Sequence, residues 1–223
     1  TEIDFVNAEL TRDSLHEDGG RLRYENIGFK GDQVLDLMVT VADGTTYTTT
    51  QPEKNGVNGA FGQINIMNKN TAELDGKGTF DFCLVDHDRP NKKVTVDSFH
   101  FTFFDVDNRF DVSGLIGLHE SILMAPSEFS SYYVDPNTEI EIECEDGRGT
   151  PPNCASRVVF KGTVVGHGPS DPDQNDNPDD PNNLTSLQQQ RSISFTFENT
   201  SCFQVTMDLY CPVNNPEIGR AHV

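Results

Sequence analysis

The chain has 223 residues, with 36 acidic against 16 basic side chains and a formal net charge of −20. That charge repels phosphate backbones and anionic lipid, so no nucleic-acid partner is expected, while divalent cations and basic partners are favoured. No apolar run approaches the roughly 20 residues that cross a bilayer, so no membrane span is expected either.

Alternation at period two recurs along the chain, and sustained helical periodicity does not. Ile3 and Phe5 open the first expected strand. Arg21 to Ile27 alternate after the turn Asp18-Gly19-Gly20, and Val34 to Val41 form a strand after Gly31-Asp32. Phe61 to Ile66 follow the glycine-punctuated loop Asn55-Gly56-Val57-Asn58-Gly59. Phe80, Phe82 and Leu84 share one strand face, and Asp86-His87-Asp88 follows as a turn. Adjacent residues at a strand end point apart, so this Asp-His pair does not make an acid–base dyad by itself.

Phe99, Phe101 and Phe103 describe a strand that buries one face and then runs into Asp105, Asp107, Asn108 and Asp111. Ile140, Ile142 and Cys144 share a face, Val158 to Val165 form a further strand, and Ile193, Phe195 and Phe197 alternate with polar residues. Phe203, Val205, Met207 and Leu209 close the set. The helical candidate is short, around Ser186 to Gln190. Residues 166–183 hold four prolines and five aspartates and nothing able to pack a core, which reads as a long acidic surface loop.

About ten strands separated by Gly, Asp, Asn and Pro clusters predict an all-β fold. The expected architecture is one antiparallel β-sandwich of jelly-roll type over residues 1–217, carrying the long acidic loop. Residues 218–223 match the translation of a common short-read sequencing adapter and are set aside, with the natural protein expected to continue past Glu217.

The five cysteines form no CxxC, and no His pair stands at zinc-finger spacing, so structural zinc is not expected. Cys144 and Cys154 flank a turn-rich loop and are the disulfide candidate. Cys202 and Cys211 bracket one strand, about 30 Å apart if extended, so each needs another partner. Two N-x-S/T sequons, at Asn183 and Asn199, are candidate glycosylation sites. With the disulfide they point to an extracellular or cell-surface location.

The main candidate site is a Ca²⁺ centre at the rim. Ca²⁺ takes six to eight hard oxygens, and carboxylates two apart at a strand end can converge on one ion. Asp105, Asp107 and Asp111 supply charge, Asn108 a neutral oxygen, and Glu120, on the next apolar stretch, closes the shell. A second candidate lies in the acidic loop, where Asp171, Asp173, Asp176, Asp179 and Asp180 alternate with asparagines; a flexible solvated loop is the expectation there. Sugar platforms use exposed aromatic rings. The chain has no Trp, and Tyr47 and the pair Tyr132-Tyr133 are the candidate exposed rings, with ordinary packing the simpler reading. Glu139, Glu141 and Glu143 alternate on one strand and admit a second reading, a polysaccharide hydrolase with paired carboxylates. A ligand-free coat subunit is a third.

Four strings carry a resemblance: Arg21-Leu22-Arg23-Tyr24-Glu25-Asn26-Ile27-Gly28, Asn58-Gly59-Ala60-Phe61-Gly62-Gln63-Ile64-Asn65, the Asp97 to Asp107 segment, and Arg191 to Thr200. With Asp36 to Thr40 they resemble an uncharacterised β-sandwich module of predicted secreted proteins in microalgae and bacteria. The resemblance implies an extracellular or surface β-sandwich and no particular activity. The function expected is a non-catalytic module, binding Ca²⁺ and mediating adhesion, matrix or glycan contact.

Overall fold

The computed structural model describes residues 3–66, 76–110, 117–166 and 175–210. In chain order the strands begin with β1 (Glu9–Asp13), β2 (Arg21–Lys30), β3 (Gln33–Val41), β4 (Gly56–Asn58), β5 (Phe61–Gln63) and β6 (Gly76–Asp86). They continue with β7 (Arg89–Lys93), β8 (Val96–Phe103), β9 (Asn108–Phe110), β10 (Gly117–Met124) and β11 (Ser131–Tyr133). The last are β12 (Ile140–Cys144), β13 (Gly149–Thr150), β14 (Asn153–Cys154), β15 (Val158–Gly162), β16 (Ile193–Thr200) and β17 (Cys202–Tyr210), with one α-helix among the described residues, α1 (Ser186–Gln190), before β16.

The main sheet runs β1-β2-β3-β6-β17-β10-β15-β12, and a three-stranded sheet runs β11-β16-β8. The ladders of both sheets are antiparallel, as in the registers of β2 with β3, β6 with β17 and β8 with β16. The all-β antiparallel class is thus the one expected; this strand order does not establish a jelly-roll connectivity. Two expected strands are shorter here, ending at Gln63 and at Gly162, and Ile3 makes only an isolated bridge to Gly28.

The two-residue alternation places the core. Ile193, Phe195 and Phe197 of β16 are buried opposite Phe103, Phe101 and Phe99 of β8. Their rings meet the main sheet: Phe197 stacks on Phe203 at 4.2 Å between centroids, and Phe160 meets Phe195 edge-on at 5.1 Å. Full burial of each such side chain is worth about 1.5–3 kcal/mol. This aromatic seam, continued by Phe82 stacked on Phe203 at 5.1 Å, joins the two sheets.

Charge is also buried, with partners. Asp36 in β3 is fully buried and accepts from Arg23 Nε (2.9 Å) and the Asn26 N–H (3.0 Å), with His87 Nδ1 at 3.0 Å. Asn26 takes a left-handed backbone (φ 61) where the β2–β3 register shifts, and the Asp36 carboxylate caps that irregularity.

The expected disulfide Cys144–Cys154 is formed. A second, Cys83–Cys202, joins residues directly opposite on β6 and β17. Cys202 thus finds its partner 119 positions away. Cys211 lies outside the described residues. The short helix forms where expected, closed by a capping box: Thr185 Oγ1 accepts from the Gln188 N–H (3.3 Å), and Gln188 Oε1 accepts from the Thr185 N–H (2.9 Å).

Candidate metal centre

Past the end of β8 the chain turns at Asp105, whose φ of 60° is left-handed, a conformation Asp tolerates better than most residues. The segment that follows is held by its backbone on several sides. Val106 N–H donates to Arg191 O (3.0 Å), Asn108 N–H to Val164 O (2.9 Å), Gly166 N–H to Asn108 O (2.8 Å), and Glu120 N–H to Asp107 O (3.0 Å). Asp107 therefore sits between β10 and the chain leaving β15, and it is buried.

Two glycines make the room. A Cβ on Gly162 would lie 2.6–2.7 Å from the N, Cα and C of Asp107, closer than real Cβ contacts come. A Cβ on Gly166 would fall on the Asp107 carboxylate itself, at Oδ2.

The third carboxylate comes from the acidic loop. Ligand oxygens of Asp105, Asp107 and Asp176 all lie within 4.8 Å of one another. Asp176 is only 1% exposed. Arg191, at the entrance to β16, holds it: Nη1 pairs with Asp176, and Nε donates to Glu139 Oε2 (2.7 Å). Asn177 is held in turn, because the buried Gln188 of the capping box donates to its carbonyl oxygen (3.1 Å).

The Asn177 carboxamide faces Asp105. With its nitrogen inward it donates to both Asp105 oxygens, at 3.2 and 2.5 Å. Turned over, it adds a neutral oxygen to the three carboxylates. Asn108 is 6% exposed, and its Oδ1 has no hydrogen-bond partner among the described residues. Such orphaned buried oxygens are rare in folded proteins.

The donor set is all hard oxygen, which suits Ca²⁺ or Mg²⁺ and not zinc. Two oxygens on opposite sides of one Ca²⁺, each about 2.3–2.6 Å from it, stand about 4.6–5.2 Å apart, a span the carboxylate spacing accommodates.

Of the residues expected from the sequence, Asp105 and Asp107 converge, and Asn108 is buried next to them in the chain. Glu120 offers its backbone N–H to Asp107, but its carboxylate stands outside the group. Asp111, Asp171 and Asp173 lie outside the described residues. Asp176 corrects the expectation of a purely solvated loop: a buried arginine gives the far part of that loop a place to dock. The signal in the sequence was Arg191, a cation two residues before an apolar strand.

The other candidates resolve differently. Asp86-His87-Asp88 is the expected turn, with Asp86 Oδ1 accepting from the N–H groups of Asp88 and Arg89 (both 3.1 Å). His87 turns to Asp36 instead, and that hydrogen bond raises its pKa. Glu141 pairs with Lys161 (2.8 Å), while Glu139 belongs to Arg191, so the alternating glutamates are engaged by two separate cations. Tyr47 is buried, its hydroxyl donating to Asn65 O (2.6 Å), which removes it as an exposed platform. Tyr132 packs edge-on against Phe160 (5.0 Å), and Tyr133 is 66% exposed. Asn183 and Asn199 are both exposed.

No protein-family model matches the chain, and no curated protein does. Among solved structures, the chain is similar to the adhesin domain of PrgB from Enterococcus faecalis, at 9% identity and a TM-score of 0.45, over 88% of this chain and 59% of that one. The same domain bound to DNA gives 10% identity and 0.43, over 88% and 63%. The N-terminal domain of the Streptococcus gordonii adhesin Sgo0707 gives 10% identity and 0.44, over 94% and 53%. The chain thus spans less than two thirds of the length of these bacterial adhesin structures.

Proposed function

We propose that the chain is a non-catalytic extracellular or cell-surface module that binds Ca²⁺ at Asp105, Asp107 and Asp176 and makes adhesive contact with glycan or matrix. The observation that carries the reading is the meeting of three carboxylates from two distant segments, 105–107 and the acidic loop, within 4.8 Å. In this reading Asn177 turns its oxygen inward, and Asn108 Oδ1 supplies a further neutral ligand. The ion then cross-links the end of β8 to the acidic loop, whose charges otherwise repel. Two disulfides support an oxidising compartment, as do the exposed sequons at Asn183 and Asn199. No helix among the described residues is long and apolar enough to cross a membrane.

The test is thermal unfolding of the chain in Ca²⁺ and in EDTA. Millimolar Ca²⁺ raises the melting temperature, and Asp107→Asn removes the rise. Superimposable melts in the two buffers would refute the reading.

A further inference from the structure

A groove of about 840 Å³ opens beside the centre, and Asp105 lies on its wall. One side is the tip of the β4–β5 hairpin, where Asn58 pairs with Phe61 across a turn made by Gly59 at φ 60. The other side is the loop containing Asn177 and Asn182. Phe61 and Phe104, both partly exposed, meet edge-on at 5.2 Å in this groove, and Phe104 immediately precedes Asp105. Aromatic rings, side-chain amides and carboxylates therefore line one space. Its volume is at the upper end of the range for small-ligand sites, about 300–1,000 Å³.

From this lining we infer that the groove binds a neutral oligosaccharide, a reading that rests on the proposed Ca²⁺ centre and names its ligand class. Three features select that chemistry. The C–H face of a sugar ring packs on a phenyl ring. Sugar hydroxyls donate to the carboxamide oxygens of Asn58 and Asn182 and to carboxylates, while their own oxygens accept from the amide nitrogens. A pair of neighbouring hydroxyls also completes the shell of a Ca²⁺ held on the Asp105 side, because Ca²⁺ takes more oxygens than three carboxylates supply. Charge sets the specificity: Asp4, Asp105, Glu120 and Asp179 line the same groove, so uronates and nucleic-acid phosphates are repelled.

The test uses the whole chain and five immobilised probes: linear neutral hexasaccharides of glucose, the same of mannose, a polyuronate hexamer, a 20-base-pair DNA duplex and a lysine-rich peptide. Binding is measured in Ca²⁺ and in EDTA, with the melting temperature taken in both. At least one neutral hexasaccharide binds in Ca²⁺, and EDTA weakens it at least tenfold. Phe61→Ala weakens it tenfold or more, and so does the double change Asn58→Ala with Asn182→Ala, both at exposed positions. In these variants the Ca²⁺-dependent rise in melting temperature stays intact. If Ca²⁺ raises the melting temperature and no neutral sugar binds, or only the polyuronate, DNA or peptide does, the inference is overturned while the metal centre stands. If the melting temperature ignores Ca²⁺, the centre itself has failed, and a sugar that binds equally in EDTA overturns the Ca²⁺-bridged mode proposed here.

Discussion

Gly162 and Gly166 both border Asp107, and alanine at each should fail differently. At position 162 the new methyl meets main-chain atoms of Asp107 at 2.6–2.7 Å. Ordinary contact begins near 3.4 Å, so the Asp107 backbone must yield by about 0.7 Å while held by hydrogen bonds from Glu120 and on either side through Val106 and Asn108. Overpacking of this kind costs about 1–3 kcal/mol. For a domain of this size that lowers the melting temperature by about 2–12 °C, with or without Ca²⁺. At position 166 the methyl lands on the Asp107 carboxylate and displaces it, so that variant loses the Ca²⁺ response. For an extracellular site with a Kd of about 0.1 mM, 10 mM Ca²⁺ stabilises by about 2.7 kcal/mol, or about 5–11 °C. Differential scanning calorimetry of the chain and both variants, in EDTA and in 10 mM Ca²⁺, separates the effects. Gly162→Ala should melt lower in both buffers, and Gly166→Ala should gain little from Ca²⁺. A Gly166→Ala protein with the full Ca²⁺ gain would refute the placement of Asp107 in the centre.

Further outcomes follow from the rest of the structure. Cys83–Cys202 closes a loop of 119 residues and Cys144–Cys154 one of 10, so the chain-entropy relation assigns them about 5 and about 3 kcal/mol. Paired Cys→Ala changes should therefore cost more at 83/202 than at 144/154 in urea unfolding; the reverse order would contradict the assigned pairing. Tyr24→Phe should cost about 0.5–1.5 kcal/mol, because the buried hydroxyl donates to Gly56 O (3.0 Å) and reaches Gln63 O (3.3 Å), and a phenyl ring makes neither contact. The hydrogen bond to Asp36 raises the folded-state pKa of His87 above the ordinary 6.5. A raised pKa contributes stability in full below the unfolded value and loses it as pH climbs through the folded value. Between pH 6 and 8.5, the parent should lose more stability than His87→Gln, and parallel pH profiles would rule out the Asp36–His87 contact as the cause.

How much of this was legible in the sequence depends on the range over which each signal acts. The strand faces of Phe99, Phe101 and Phe103 and of Ile193, Phe195 and Phe197 were readable because a strand's side chains alternate between its faces and only one face is buried. The helix at Ser186–Gln190 was readable because its cap lies within four residues of chain. Cys144–Cys154 was readable because ten residues separate its ends across a turn. Asp105 and Asp107 were readable as a pair because they stand two apart past the same strand.

What the linear order could not show was which distant segments share the sheet. Cys202 meets Cys83 only because β17 pairs with β6 in one register, and a shift of one residue would part them. Asp176 joins Asp105 and Asp107 only because Arg191 is buried at the entrance to β16, where one guanidinium pairs with both the acidic loop and Glu139. Composition and alternation therefore determined the class of fold and its buried faces. Tertiary packing decided which carboxylates meet, because that choice is made by long-range pairing and by the pairing of buried charge, and neither leaves a local pattern in the chain.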